Sequence, residues 1–173
     1  LHPRHLGKLK NSHSNGKALS FVRSPSPPQF LGNVNGFPRS PMPLVRIALP
    51  KGKSPQFRRE ISQGVQSALV ETFGVPEQDL FQIITQHDAD SPIVHAPSYL
   101  GIEYSDDLTI IQLTVSDTRS LEQKRRLFAR IAERLAQKPG LRPDDIFINL
   151  VEVKAENWSF GRGQAQYAAA AAR

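Results

Sequence analysis

The same order of hydrophobic periods occurs twice along this chain. Leu44-Val45-Arg46-Ile47-Ala48-Leu49 has the character of a strand. Ser54 then supplies a helix N-cap and Pro55 suits the first helical position, and apolar residues recur at Phe57, Ile61, Val65, Ala68, Leu69 and Phe73, the spacing of one helical face. Gly74 stands where a C-cap ends the helix, Pro76-Glu77-Gln78-Asp79 turns the chain, and Leu80 to Thr85 reads as a second strand. The order repeats as a strand over Leu108 to Val115 and a helix opened by Ser120 and Gln123 at capping-box spacing. That helix carries Leu127, Phe128, Ile131 and Leu135 on one face and is closed by Gly140; a turn at Pro143-Asp144-Asp145 and a strand over Ile146 to Val151 follow. Ser54 matches Ser120, and Phe81 matches Phe147, both at an offset of 66 residues.

Two tandem β-α-β units, each crossing over right-handedly, predict an α+β domain: a four-stranded sheet with both helices on one face. The opposite sheet face stays apolar, and an apolar face left uncovered argues for self-association. The closing run Ala168 to Ala172 reads as a helical or frayed tail.

Composition divides the chain before the first strand. All six basic residues of positions 1–42 (Arg4, Lys8, Lys10, Lys17, Arg23 and Arg39) stand without one acidic residue, and the whole chain holds 22 basic and 16 acidic residues. The net charge of +6 therefore belongs to the leader, and residues 43–173 are balanced. A balanced body without a basic stripe argues against nucleic acid as a partner. The leader is rich in Ser, Pro, Gly and Asn and lacks apolar periodicity, which predicts disorder. It reads as translated upstream sequence, an organellar transit peptide or a native tail.

With no Cys there is no disulfide framework, thiolate nucleophile or thiolate metal site, and no metal is expected. No stretch approaches the roughly 20 apolar residues of a membrane span. The expected location is cytoplasmic, or organellar if residues 1–42 are a transit peptide.

The junction Met42-Pro43 carries the chemistry. A working domain that begins at Pro43 presents a prolyl secondary amine, a group that serves as base, acid or nucleophile once burial and neighbours tune its pKa. Above an apolar wall the cationic amine is desolvated and its pKa falls toward neutrality. It can then take a proton alpha to a carbonyl and return it to another carbon. Alternatively, an acidic neighbour such as Asp79 holds the ammonium form, and the proline polarises a carbonyl or helps to activate water.

Pro-initiated β-α-β repeats with Gly-Lys-Ser before the first helix resemble the tautomerase superfamily. Phe73-Gly74-Val75-Pro76 followed by Asp79, and Asn157-Trp158-Ser159-Phe160-Gly161-Arg162-Gly163, are similar to its malonate semialdehyde decarboxylase-like branch. The resemblance covers nearly all of residues 43–167, and the Trp-Ser-Phe-Gly run is its most specific part. It implies a homotrimer, no cofactor, and a pocket around the terminal proline. It also implies that Asp79 orients a water or the proline, that Arg119 grips a substrate carboxylate, and that Trp158 and Phe160 form the apolar wall. One departure stands out. The decarboxylase motif places two arginines around a proline before the second helix, whereas here the segment reads Ser116-Asp117-Thr118-Arg119, with Asp117 in place of a cation. That exchange favours keto-enol proton transfer over decarboxylation.

Each of these residues also has a structural reading. Pro43 can simply start a strand, Asp79 close a turn, and Arg119 lie in solvent. Lys53 occupies the place of Arg119 in the first unit, as a second anion grip or a solvated flank. Trp158 and Phe160 can be core rather than wall. Two functions follow: a cofactor-independent isomerase of small 2-oxo or 3-oxo acids, with decarboxylase or hydratase activity as variants; or a non-catalytic trimeric interaction protein whose leader keeps the Pro43 nitrogen in an amide.

Overall fold

Val45, Ile47 and Leu49 are buried while Arg46 between them is exposed, so the first strand, β1 (Leu44–Pro50), sends one face into a core. The helix after it, α1 (Pro55–Phe73), starts where the Ser54 hydroxyl accepts the Phe57 N–H at 3.1 Å and ends at Gly74, whose φ of 66° is left-handed. β2 (Phe81–His87) then returns parallel to β1. The structure, a computed structural model, describes residues 42–168; the expectations for the leader up to residue 41 and for the alanine tail beyond 168 lie outside the described residues.

After β2 comes a hairpin that the sequence pattern did not predict, β3 (Ser98–Tyr99) with β4 (Ile102–Glu103). Its two-residue turn, Leu100-Gly101, has positive φ at both positions. Leucine is a poor signal for that conformation.

The second unit repeats the first. It consists of β5 (Thr109–Ser116), α2 (Leu121–Gln137) and β6 (Ile146–Val153), with β6 parallel to β5. The predicted capping box is present: Gln123 N–H donates to Ser120 Oγ at 3.2 Å, and Ser120 N–H donates to Gln123 Oε1 at 3.0 Å. The helix ends at Gln137, ahead of the predicted Gly140. Gly140, at φ 91°, instead shapes the tight exit in which its own N–H and that of Leu141 both donate to the Leu135 carbonyl.

The four long strands run in the order β2-β1-β5-β6, and the central pair β1–β5 is antiparallel, with Leu44 opposite Thr114. Both helices cover one face. Ile61, Val65, Leu69 and Phe73 of α1 and Leu127, Ile131 and Leu135 of α2 close over Ile47, Ile111 and Leu113. Burial of each large side chain contributes about 1.5–3 kcal/mol, so this layer dominates stability. Gly64 lets the helices approach closely; a Cβ there would come within 2.8 Å of Leu135 Cδ2. On the other sheet face Phe81, Ile83, Phe147 and Val151 are exposed. The architecture is the predicted α+β sheet with both helices on one side. Among the described residues no helix is long and apolar enough to cross a membrane.

Candidate functional site

The antiparallel centre of the sheet brings four segments to one end. β1 and β2 begin there, and β5 and β6 finish there. Pro43, immediately before β1, is buried. Asp79 lies in the loop two residues ahead of Phe81, which pairs with Leu44, so it enters the same end of the sheet as Pro43. Its backbone is held by an N–H bond to the Pro76 carbonyl at 3.0 Å and by Gln66 Nε2 on its carbonyl at 3.3 Å. Among the described residues its carboxylate makes no hydrogen bond or ion pair.

Arg119 arrives from β5. Asp117 N–H donates to the Val153 carbonyl at 3.1 Å, and Thr118 N–H to the Ser116 carbonyl at 2.8 Å, which ties the segment to the end of β6 before Ser120 caps α2. The Arg119 guanidinium lies 4.8 Å over the Phe73 ring. Among the described residues its buried Nε has no hydrogen-bond partner, and no carboxylate lies within ion-pair distance of it. Desolvation lowers its pKa below the usual arginine value. A cation just before a helix N-terminus also opposes the helix dipole. Both effects are relieved by a bound anion.

Beyond β6, a single 3₁₀ turn over Ala155–Asn157 leads to Trp158. The Trp158 and Phe160 rings stack at 5.6 Å and 12°, and Phe160 meets Tyr167 edge-on at 4.8 Å. Gln166 fixes the loop by accepting the Phe160 N–H at 3.0 Å and donating to the Gly161 carbonyl at 2.9 Å. Trp158 Nε1 is buried and has no partner among the described residues. The stacked aromatic pair thus has one polar edge.

Comparison with known proteins bears on this arrangement. Residues 43–98 and residues 79–161 each match a family model described as tautomerase enzyme. The probable tautomerase YusQ of Bacillus subtilis (strain 168) is 38% identical over 125 residues, covering 72% of this chain and 98% of YusQ. The chain belongs to the tautomerase superfamily. Solved malonate semialdehyde decarboxylases are similar to it as well. The FG41 enzyme inhibited by 3-bromopropiolate matches at 39% identity and a TM-score of 0.67, over 74% of this chain and 96% of that one. A second, solved in wild-type, mutant and inactivated forms and described as having decarboxylase and hydratase activities, matches at 29% identity and a TM-score of 0.66, over 74% and 98%.

Within this tautomerase-superfamily fold, Pro43, Asp79, Arg119, Trp158 and Phe160 come from segments that meet at one end of the sheet. Lys53 does not. It follows the far end of β1, where its ammonium pairs with Asp107 at 2.5 Å and lies 5.0 Å from the Phe57 ring centroid. His87 and Asp88 are at that far end too, in a concavity of about 620 Å³. Lys51 binds Asp88 at 2.9 Å and holds its carboxyl below the usual range, and His87 bonds the Ser91 carbonyl at 2.9 Å. Asp117 is exposed at the candidate site, and among the described residues no hydrogen bond or ion pair holds its carboxylate. No group of three or more potential metal ligands occurs among the described residues.

Proposed function

We propose that this protein is a cofactor-independent keto-enol isomerase of small 2-oxo or 3-oxo acids, working from Pro43 as an N-terminal amine. The observation that carries the reading is Arg119: a half-buried, desolvated guanidinium without a counterion among the described residues, at the sheet end where Pro43 lies. Arg119 grips the substrate carboxylate in a forked contact and draws charge toward itself as the enolate forms. Pro43, buried against the end of the sheet, moves the proton between carbon and oxygen, or between two carbons, of the bound acid. The free Asp79 carboxylate orients the amine or a water beside it, and Trp158 with Phe160 excludes bulk solvent. The uncovered apolar face of Phe81, Ile83, Phe147 and Val151 supports self-association, and a homotrimer is the form proposed.

Malonate semialdehyde decarboxylation or hydration is the second reading, supported by likeness to the FG41 decarboxylase. The single arginine of the segment before α2 and the nearby Asp117 weigh toward isomerisation, because an anion in place of a second cation weakens the hold on a second carboxylate oxygen and on developing negative charge.

The test compares protein that begins at Pro43 with protein that retains Met42. The first should ketonise phenylpyruvate- or 2-hydroxymuconate-like enols, and the second should do so only at background, because an amide nitrogen is neither basic nor nucleophilic. Equal turnover by both forms, with Met42 shown to be intact, refutes the amine mechanism and leaves the non-catalytic trimer standing.

A further inference from the structure

One buried polar group at this end of the sheet has no task in the proposed scheme. Ser116, the last residue of β5, is 4% exposed, and its hydroxyl has no hydrogen-bond partner among the described residues. Burying a hydroxyl without a partner is unfavourable, so its presence asks for a ligand or a neighbour that arrives later. The strand register indicates which. Leu44 faces Thr114 and Val45 faces Leu113, and the same ladder carried two positions beyond Leu44 sets residue 42 opposite Ser116. Opposed Cα atoms in an antiparallel pair are about 4.5–5.5 Å apart, and the Pro43 nitrogen lies on the chain between residues 42 and 43. On that continuation past the last paired residue, residue 42 lies opposite Ser116, and in protein that begins at Pro43 the amine faces that position.

We propose that Ser116 is a positioning residue for the Pro43 amine: its hydroxyl accepts a hydrogen bond from the ammonium form and fixes the direction of the nitrogen. This rests on the reading of Pro43 as a free N-terminus. The hydroxyl stabilises the protonated amine and so raises its pKa, opposing the desolvation of a buried cation. The charged groups brought to this end are Asp79 ahead of β2, Asp117 and Arg119 after β5, Lys154 after β6, and the pair of Lys124 from α2 with Glu152 from β6 at 2.7 Å. Asp79 and Asp117 act in the same direction as Ser116, and Arg119 acts against it. Ser116 differs from all of them in being uncharged, so its removal changes one hydrogen bond and no net charge.

The experiment titrates the Pro43 nitrogen by ¹⁵N NMR in proline-labelled protein that begins at Pro43, in native form and as Ser116→Ala and Ser116→Thr. Ser116→Ala should lower the amine pKa by about 0.5–1 unit and move the acid limb of kcat/KM with it, while Ser116→Thr, which keeps a hydroxyl, should restore both. In protein that retains Met42, Ser116→Ala should leave the melting temperature unchanged or raise it, because an unpartnered hydroxyl is removed. A pKa within about 0.2 unit of native in Ser116→Ala, an equal shift in Ser116→Thr, or a lower melting temperature for the Met42-bearing Ala variant overturns the proposal. The titration does not depend on turnover. A shifted amine in protein that isomerises no enol would refute the proposed activity and leave the role of Ser116 intact.

Discussion

Truncating Arg119 to alanine in protein that begins at Pro43 should separate activity from stability. A guanidinium that meets a carboxylate in a fork makes charge-assisted hydrogen bonds worth about 1.5–3 kcal/mol each. Arg119 is half-buried rather than enclosed, so water screens part of this, and about 2–4 kcal/mol of transition-state stabilisation is at stake. The loss in kcat/KM is then roughly 30- to 1,000-fold. Folding should feel much less. The variant loses a cation–π contact with Phe73, about 0.5–1 kcal/mol, and gains back the cost of burying an unpartnered Arg119 Nε. Its unfolding free energy should therefore lie within about 1 kcal/mol of native. The assay is steady-state ketonisation of an enol acid beside its neutral ester, with urea unfolding of the same preparations. The acid should show the large loss and the ester little, and Arg119→Lys should fall between native and alanine because an ammonium keeps the charge without the fork. Unchanged kinetics toward the acid within about twofold, or equal losses toward acid and ester, would show that Arg119 does not hold the carboxylate.

Further expectations concern the neighbouring charge and the frame. Asp117→Arg should shift the ratio of decarboxylation to isomerisation toward decarboxylation by about 1–3 kcal/mol, measured with malonate semialdehyde and an enol acid on both proteins; an unchanged ratio in a folded variant removes position 117 from reaction choice. Asp145 is buried and accepts both the Ser105 N–H and the Ser105 hydroxyl at 2.7 Å, so Asp145→Ala orphans two donors and should cost about 2–4 kcal/mol in urea unfolding. Glu71 binds Arg130 and Arg134 across the helix pair, and the Arg130 hydrogen bond leads the causes that lower its pKa. Its stabilising contribution is thus complete above the ordinary glutamate value of about 4.3 and is lost as pH falls through the depressed folded value. Glu71→Gln should accordingly lose less stability than native protein across that acid window, read from melting temperature against pH.

Local chemistry written into the chain determined the elements of this protein. Ser54 and the Ser120-Gln123 box set the helix starts, Gly74 sets one helix end, and the paired apolar periods at an offset of 66 residues imply two copies of one unit. These signals act within a few residues of themselves, so no partner is needed to read them. Pro43 is legible in the same way, as a proline directly after Met42 and ahead of a strand run. Two local features escaped because their signals are weak: Leu100-Gly101 lacks the usual turn residues, and Gly140 marks the exit from α2 rather than its last turn. What the tertiary structure alone decided was company. Lys53 and Arg119 occupy equivalent places in the two units, yet one finds Asp107, 54 residues away, and the other finds an aromatic face. The unpartnered Ser116 and the buried Asp145 likewise depend on which strands lie side by side. The antiparallel register of β1 with β5 controls these placements, because a slip of one residue would turn every side chain of a strand to the other face. That register is set by the fit of two distant apolar strand faces beneath the helices, and no short stretch of sequence contains both halves of it.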